Sequence, residues 1–61
     1  MGEWKRTIDI LPPEYLMVET KIDDGVFVRN QQPLYRMKNL WYFPDGSMYV
    51  YYTPTHWQEI L

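Results

Sequence analysis

No cysteine occurs anywhere in the chain, so neither a disulfide framework nor a thiolate metal site is open to it, and nothing implies an oxidising compartment. Glycine is confined to the isolated positions Gly2, Gly25 and Gly46, which leaves no glycine-rich loop to cradle a phosphate. No apolar run approaches the roughly 18 residues of a membrane span. The opening "MGEWKRTIDIL" reaches polar or charged side chains within three positions, which argues against a secretory leader, and a soluble cytoplasmic protein with no membrane partner is the expectation. Strong charge of one sign is also missing. Six basic against eight acidic side chains give a net charge of −2, too little positive charge to bind duplex DNA by phosphate neutralisation and too little negative charge to imitate it.

Groups for chemistry are equally sparse. His56 is the only histidine and Ser47 the only serine, and Ser47 follows Asp45-Gly46 in what reads as a turn, so a Ser-His-Asp relay is not expected. A zinc site needs three or four ligands, whereas His56 and Glu59 supply two. Asp23-Asp24 reads as an acidic hairpin turn rather than a calcium ligand set. The expectation is a protein that is not an enzyme, with no cofactor and no metal.

What the chain does have is rings. Seven of its eleven aromatic residues fall between Asn39 and Trp57, in "NLWYFPDGSMYVYYTPTHW". At 61 residues the chain is expected to form a single domain over 1–61, near the lower size limit for folding without staples. Rings that each bury on the order of 150–250 Å² are one remedy for a small core. Association with a copy of itself is another.

Alternation of apolar and polar side chains predicts strands over Trp4–Ile10 and Leu16–Ile22. "LPPE" interrupts between them, because Pro12 and Pro13 cannot donate to a ladder, and a turn or single helical turn at 12–15 is the expected joint. Asp24-Gly25 predicts a hairpin turn into a strand at Val26-Phe27-Val28-Arg29. "NQQPLYRMKN", polar and broken by Pro33, reads as a loop of about ten residues leading into a strand near Lys38. A final hairpin pairs Leu40–Phe43 with Met48–Thr53 around Pro44-Asp45-Gly46-Ser47. The end, "TPTHWQEIL", fits a short capped helical turn, with Thr55 three residues before Gln58, and equally an extended tail ending on a buried Trp57. The fold class expected is mainly β: a small antiparallel sheet or barrel-like domain of four to five strands. Trp4, Ile8, Ile10, Val18, Val26, Val28, Leu40 and Trp57 are the expected core.

The last hairpin poses the functional question. Side chains at i and i+2 share a face, which groups Met48, Val50 and Tyr52 against Tyr49, Tyr51 and Thr53, and Leu40 and Tyr42 against Trp41 and Phe43. Neither face is polar, although a sheet with one solvated face should alternate apolar with charged residues. One face can be the core. The other is either an ordinary half-exposed tyrosine surface or a surface that something covers. The candidate partner- or ligand-binding residues are Tyr35, Arg36, Lys38, Trp41, Tyr42, Tyr49, Tyr51 and His56, since Tyr, Trp and Arg are the usual anchors of binding surfaces. A single-stranded nucleic acid, with bases stacked on Tyr35, Trp41 or Tyr42 and phosphates on Arg36 and Lys38, is one alternative. A small nucleotide held by rings and by Arg36 or Arg29 in an oligomer is another.

The early Trp4, "LPPE" at Leu11–Glu14, the β-rich middle with "DDG" and the closing "THW" resemble a family of short uncharacterised phage, prophage and enterobacterial proteins. Its members open with Trp, continue through Leu-Pro and a Val-rich strand, and end in a Thr-His-Trp-Met-Pro-Leu-Pro type tail. Here the tail is "THWQEIL", and Asn30–Asn39 matches nothing in that pattern. The resemblance carries no catalytic residue over. It implies a phage or mobile-element origin, hence the cytoplasm of a host cell, and stoichiometric binding to a host protein, including a defence protein, as the mode of action. A homodimer is expected, because a symmetric pairing would cover the second aromatic face on both copies at once.

Overall fold

The computed structural model describes residues 3–60. They form one open, five-stranded antiparallel sheet with β1 (Lys5–Arg6), β2 (Met17–Asp23), β3 (Val28–Met37), β4 (Leu40–Tyr42) and β5 (His56–Glu59), in the spatial order β1-β5-β2-β3-β4. The C-terminal segment is a strand, not a helical turn, and it enters between β1 and β2. Trp57 lies opposite Lys5 on one side and Thr20 on the other.

β2 follows its sequence alternation, with Val18 and Thr20 buried between partly exposed neighbours. Buried Thr20 donates its hydroxyl to the Gln32 carbonyl at 2.7 Å, as a polar group without water must. The expected loop at Asn30–Asn39 is instead most of β3, which runs to Met37. Pro33 lies opposite Glu19, and the ladder to β4 stops at Tyr35, so the proline sits where β3 is paired on one side only and its missing N–H is tolerated. The register slips between Thr20 and Ile22, where Lys21 faces both Asn30 and Gln31, and Asn30 takes the left-handed conformation (φ 56°) that such a bulge requires.

The first predicted strand is cut to two residues. After Arg6 the chain turns, with the Asp9 and Ile10 N–H groups donating to the Arg6 carbonyl at 3.0 and 3.1 Å, and the Arg6 guanidinium closes the turn on Asp9. Ile8 and Ile10, expected inside, therefore stand in solvent, Ile8 at 85% exposure. Val26 and Val28 are likewise exposed, because the hairpin loop extends over 24–27 and Val28 is the first residue of β3. Leu40 is exposed too, its neighbour Trp41 taking the inner face, and Trp4 is half-buried under Lys21, whose Nζ lies 4.3 Å from the ring centre. Of the expected core only Val18 and Trp57 are buried.

The core comprises Val18, Leu34, Trp41, Val50 and Trp57, with Phe43 and Tyr52 packed against it. Two irregular segments cover that face of the sheet. The β1–β2 connection contributes buried Pro12, and the run after β4 contributes Val50 and buried Pro54. The connection is fastened by Trp57 Nε1 donating to the Ile10 carbonyl at 2.9 Å. The second arm of the last hairpin is not a strand; it is tied to the first by Phe43 N to Met48 O, by Val50 N to Trp41 O, and by the isolated Tyr42–Tyr49 bridge.

Trp57→Ala should cost about 3–5 kcal/mol, against the roughly 3–9 kcal/mol a chain of this length possesses. Urea titration followed by circular dichroism should find the variant largely unfolded. Trp57→Phe, which keeps a ring but leaves the Ile10 carbonyl unpaired, should lose only about 1–3 kcal/mol.

Candidate functional site

Register decides which rings meet. Tyr35 lies opposite Met17 on β2 and Tyr42 on β4, and Tyr42 lies opposite Tyr49. All of these side chains leave the sheet on the face away from Val18, Leu34 and Trp41. The rings form a continuous ladder. Tyr15 stacks on Tyr35 (centroids 6.0 Å, planes 23° apart) and Tyr35 on Tyr42 (5.5 Å, 15°). Tyr42 then meets Tyr49 edge-on at 5.8 Å, and Tyr49 meets Tyr51 at 6.1 Å. Each such pair contributes about 0.5–1.5 kcal/mol beyond its buried area, so the ladder also holds the short β4 and the turn after it in place.

Tyr15 was not among the expected site residues. It lies in the β1–β2 connection with φ 68°, its N–H donates to the Arg36 carbonyl at 3.0 Å, and its hydroxyl reaches Met37 Sδ at 3.2 Å. Nothing in a local pattern places it beside Tyr35. The Pro44–Ser47 turn is seated against the ladder at Gly46, which has φ +73° and where a Cβ would stand 3.0 Å from the Tyr35 hydroxyl.

The other candidates separate. Trp41 is a core residue at 2% exposure and is not available to a ligand. Arg36 lies opposite Trp41, on the inner face. Its Nε and one terminal nitrogen donate to the Pro12 carbonyl at 3.1 and 2.8 Å, and the other terminal nitrogen donates to the Lys38 carbonyl at 2.9 Å. With Glu14 Oε2 4.0 Å away as well, this guanidinium is a structural clamp on the β1–β2 connection. Lys38 sits exposed in the β3–β4 turn with φ 58°, and its backbone N–H donates to Glu14 Oε2. His56 shares the outer face with Tyr35, but four residues of β2 separate their partners Lys21 and Met17, about 13 Å along the strand. Its Nδ1 is 2.7 Å from Thr55 Oγ1, which also accepts the Asp23 N–H at 2.8 Å. The imidazole borders a separate open groove of about 420 Å³ shared with Arg6, Thr7, Ile8 and Pro54.

Around the ladder the carboxylates are engaged by turns. The Ser47 N–H and hydroxyl hold Asp45 below the usual carboxylate range. At the far hairpin the Phe27 and Val26 N–H groups do the same for Asp24, with Arg29 adding to it. The Gly25 N–H lowers Asp23, helped by Lys21 and His56. No group of three or more His, Cys, Asp or Glu side chains with the geometry to hold a metal comes together among the described residues. What remains presented to solvent is a strip of phenol rings and hydroxyls. Comparison with known protein families, curated proteins and solved structures finds no match for this chain.

Arg36→Met strips the Pro12 carbonyl of its donors and should lower stability by about 1–3 kcal/mol, read as a fall in the urea midpoint. A clamp predicts this loss, whereas a ligand contact would leave the midpoint unchanged. The lowered carboxyls predict a pH dependence of definite sign. Each contributes stability that is present above the unfolded value near 4 and is lost as pH falls through the folded value. Urea midpoints at pH 7 and pH 3 should therefore differ, and by less in Asp24→Asn; an unchanged difference would place the acid sensitivity elsewhere.

Proposed function

We propose that this chain is a small non-enzymatic binding protein that acts by stoichiometric attachment to another protein through the tyrosine ladder. The observation that carries the reading is the ladder itself: five rings in register on the outer face, with Tyr15, Tyr49 and Tyr51 left exposed. Tyrosine brings large amphipathic area with few rotors, and the ladder's neighbours Asn39, Gly46 and Thr53 are the small polar partners with which such rings make adaptable binding surfaces. Stacking the rings on one another fixes their rotamers before a partner arrives, which lowers the entropy lost on binding.

The same geometry weighs against bases stacking along the strip. Tyr35 has a ring on each face, and Arg36, the expected phosphate ligand, is committed to backbone carbonyls. The resemblance to short phage and prophage proteins supports a mobile-element origin, and with it a host protein, of a defence system in particular, as the partner inhibited. A second reading, a small-ligand or nucleotide sequestering protein, draws on the open groove between Arg6 and His56, whose roughly 420 Å³ lies within the size range of small-molecule sites.

Replacing Tyr49 and Tyr51 together by serine tests the first reading. Rings of hot-spot quality contribute about 2 kcal/mol or more each. Affinity for a partner captured from host lysate should therefore fall at least a hundredfold with the circular dichroism spectrum retained, while stability read from the urea midpoint falls only by about 1–3 kcal/mol, the worth of the two ring pairs removed. Undiminished capture would remove the ladder as the interface. A mass increment of a small molecule in native mass spectrometry, lost in His56→Ala and retained in the tyrosine variant, would shift the assignment to the groove.

A further inference from the structure

The five rings of the ladder are in unbroken contact. From Tyr15 to Tyr51 the centroids of successive neighbours lie 6.0, 5.5, 5.8 and 6.1 Å apart, the spacing of rings in offset or edge contact. Phenols are among the side chains most readily oxidised by one electron, and no cysteine is present to be oxidised in their place. Electron transfer between rings is governed by distance, and here no step leaves contact. An electron removed from any ring can therefore be replaced from its neighbour, until the vacancy reaches the ring that holds it best.

What holds it is loss of the phenolic proton to water, which turns a radical cation into a neutral phenoxyl radical. The rings differ in this respect. Tyr35 and Tyr42 are half-buried, and the Tyr35 hydroxyl lies under the Pro44–Ser47 turn, 3.0 Å from where a Cβ at Gly46 would stand. Tyr15 is exposed, but its hydroxyl is directed at Met37 Sδ at 3.2 Å, and a thioether does not take up a proton in water. Tyr49 has a ring on each side. Tyr51 has one on a single side only and is 91% exposed.

We propose that Tyr51 is an oxidative cross-linking site at the end of a radical relay: a one-electron oxidant acting on the ladder leaves its radical on Tyr51, and two copies of the chain join there as dityrosine. Each chain gives one electron to the oxidant and one phenolic proton to water. The two Tyr51 radicals then form a carbon–carbon bond between ring positions ortho to their oxygens. The hydrogen on each of those carbons passes, through water, to the oxygen of its own ring, and both rings regain aromaticity. Two tyrosines thus become one dityrosine with the release of two electrons and two protons, and two equivalents of an oxidant such as a ruthenium(III) complex or a high-valent haem are reduced. Residues 48–55 carry no charge, so two copies can bring these segments together without like-charge contact. This goes beyond the binding reading, because it gives the same rings a covalent chemistry that needs no partner protein.

The test is visible-light oxidation of the full chain with tris(bipyridyl)ruthenium and persulfate. Wild type should give a covalent dimer on denaturing gels with dityrosine fluorescence, its link mapped by peptide mass spectrometry to Tyr51, and Tyr51→Phe should lose most of it. The relay is tested by tethering the ruthenium complex to the thiol of Pro13→Cys, an exposed position beside Tyr15 at the far end of the row. The link should still form at Tyr51. Tyr49→Leu in this background, which opens a gap between Tyr42 and Tyr51, should abolish it, as should Tyr42→Leu one ring earlier. Both variants should remain open to cross-linking by the freely diffusing complex, which would show that Tyr51 itself is intact. A dimer linked through Tyr15 or Tyr49, a Tyr51→Phe that dimerises as well as wild type, a tethered parent that gives no link, or a tethered yield unchanged by both leucine variants would each overturn the proposal. No partner protein enters these readouts, so they stand or fall separately from target capture.

Discussion

The fold depends on one non-local constraint: the C-terminal strand must enter between the first strand and the second. β5 pairs with β1 and β2 at once, and Trp57 is the residue through which all three elements meet. Its ring is buried, Lys5 Nζ lies 4.9 Å from its centre, and its N–H fastens the β1–β2 connection at Ile10. Without that strand β1 has no partner and the connection loses one of its anchors. The assembly is consequently all or none, as expected where long-range pairing must be in place before the core gains anything.

With a core cluster of only Val18, Leu34, Trp41, Val50 and Trp57 among the described residues, the interior is thin, and polar anchors do much of the remaining fastening. Thr20 bonds across to β3, Arg36 clamps Pro12, and Thr55 joins Asp23 to β5 through its hydroxyl. These groups lie at junctions between elements, where an apolar side chain of similar size would leave a carbonyl or N–H unpaired. Arginine and threonine are thereby structural here. The candidate surface chemistry is left to tyrosine.

The two faces of the sheet divide the labour accordingly. The inner face is covered by two irregular segments whose prolines, Pro12 and Pro54, are buried against it. On the outer face the rings pack on one another, which stabilises the short β4 and its turn and also makes a rigid strip of hydroxyl-bearing edges. The same contacts serve fold and surface, so a substitution within the stacked part of the ladder disturbs both. Tyr51, at 91% exposure, is the least coupled to the rest.

Much of the local structure was legible in the residues. The alternation over Leu16–Ile22 specified β2 to within one residue at each end, Asp24-Gly25 and Pro44–Ser47 specified the turns, and the period of the last hairpin correctly grouped Trp41 with Phe43 and Val50 with Tyr52. Periodicity states which side chains share a face but carries no information about which face is covered. That was settled only when Pro12 and Val50 came to lie over the inner side. Pro33 reads as a strand breaker until it is known that β4 stops short of it. Ile8 and Val26 read as core until turns remove them from their strands. Tyr15 joins the ladder and β5 enters the sheet through pairings between residues far apart in sequence. The chain by itself determined β2, β4, the two turns and the alternating faces, because those depend on neighbours; the tertiary structure decided the extent of β1, the pairing of β3 and β5, burial and the assembly of the ladder, because those depend on distant segments.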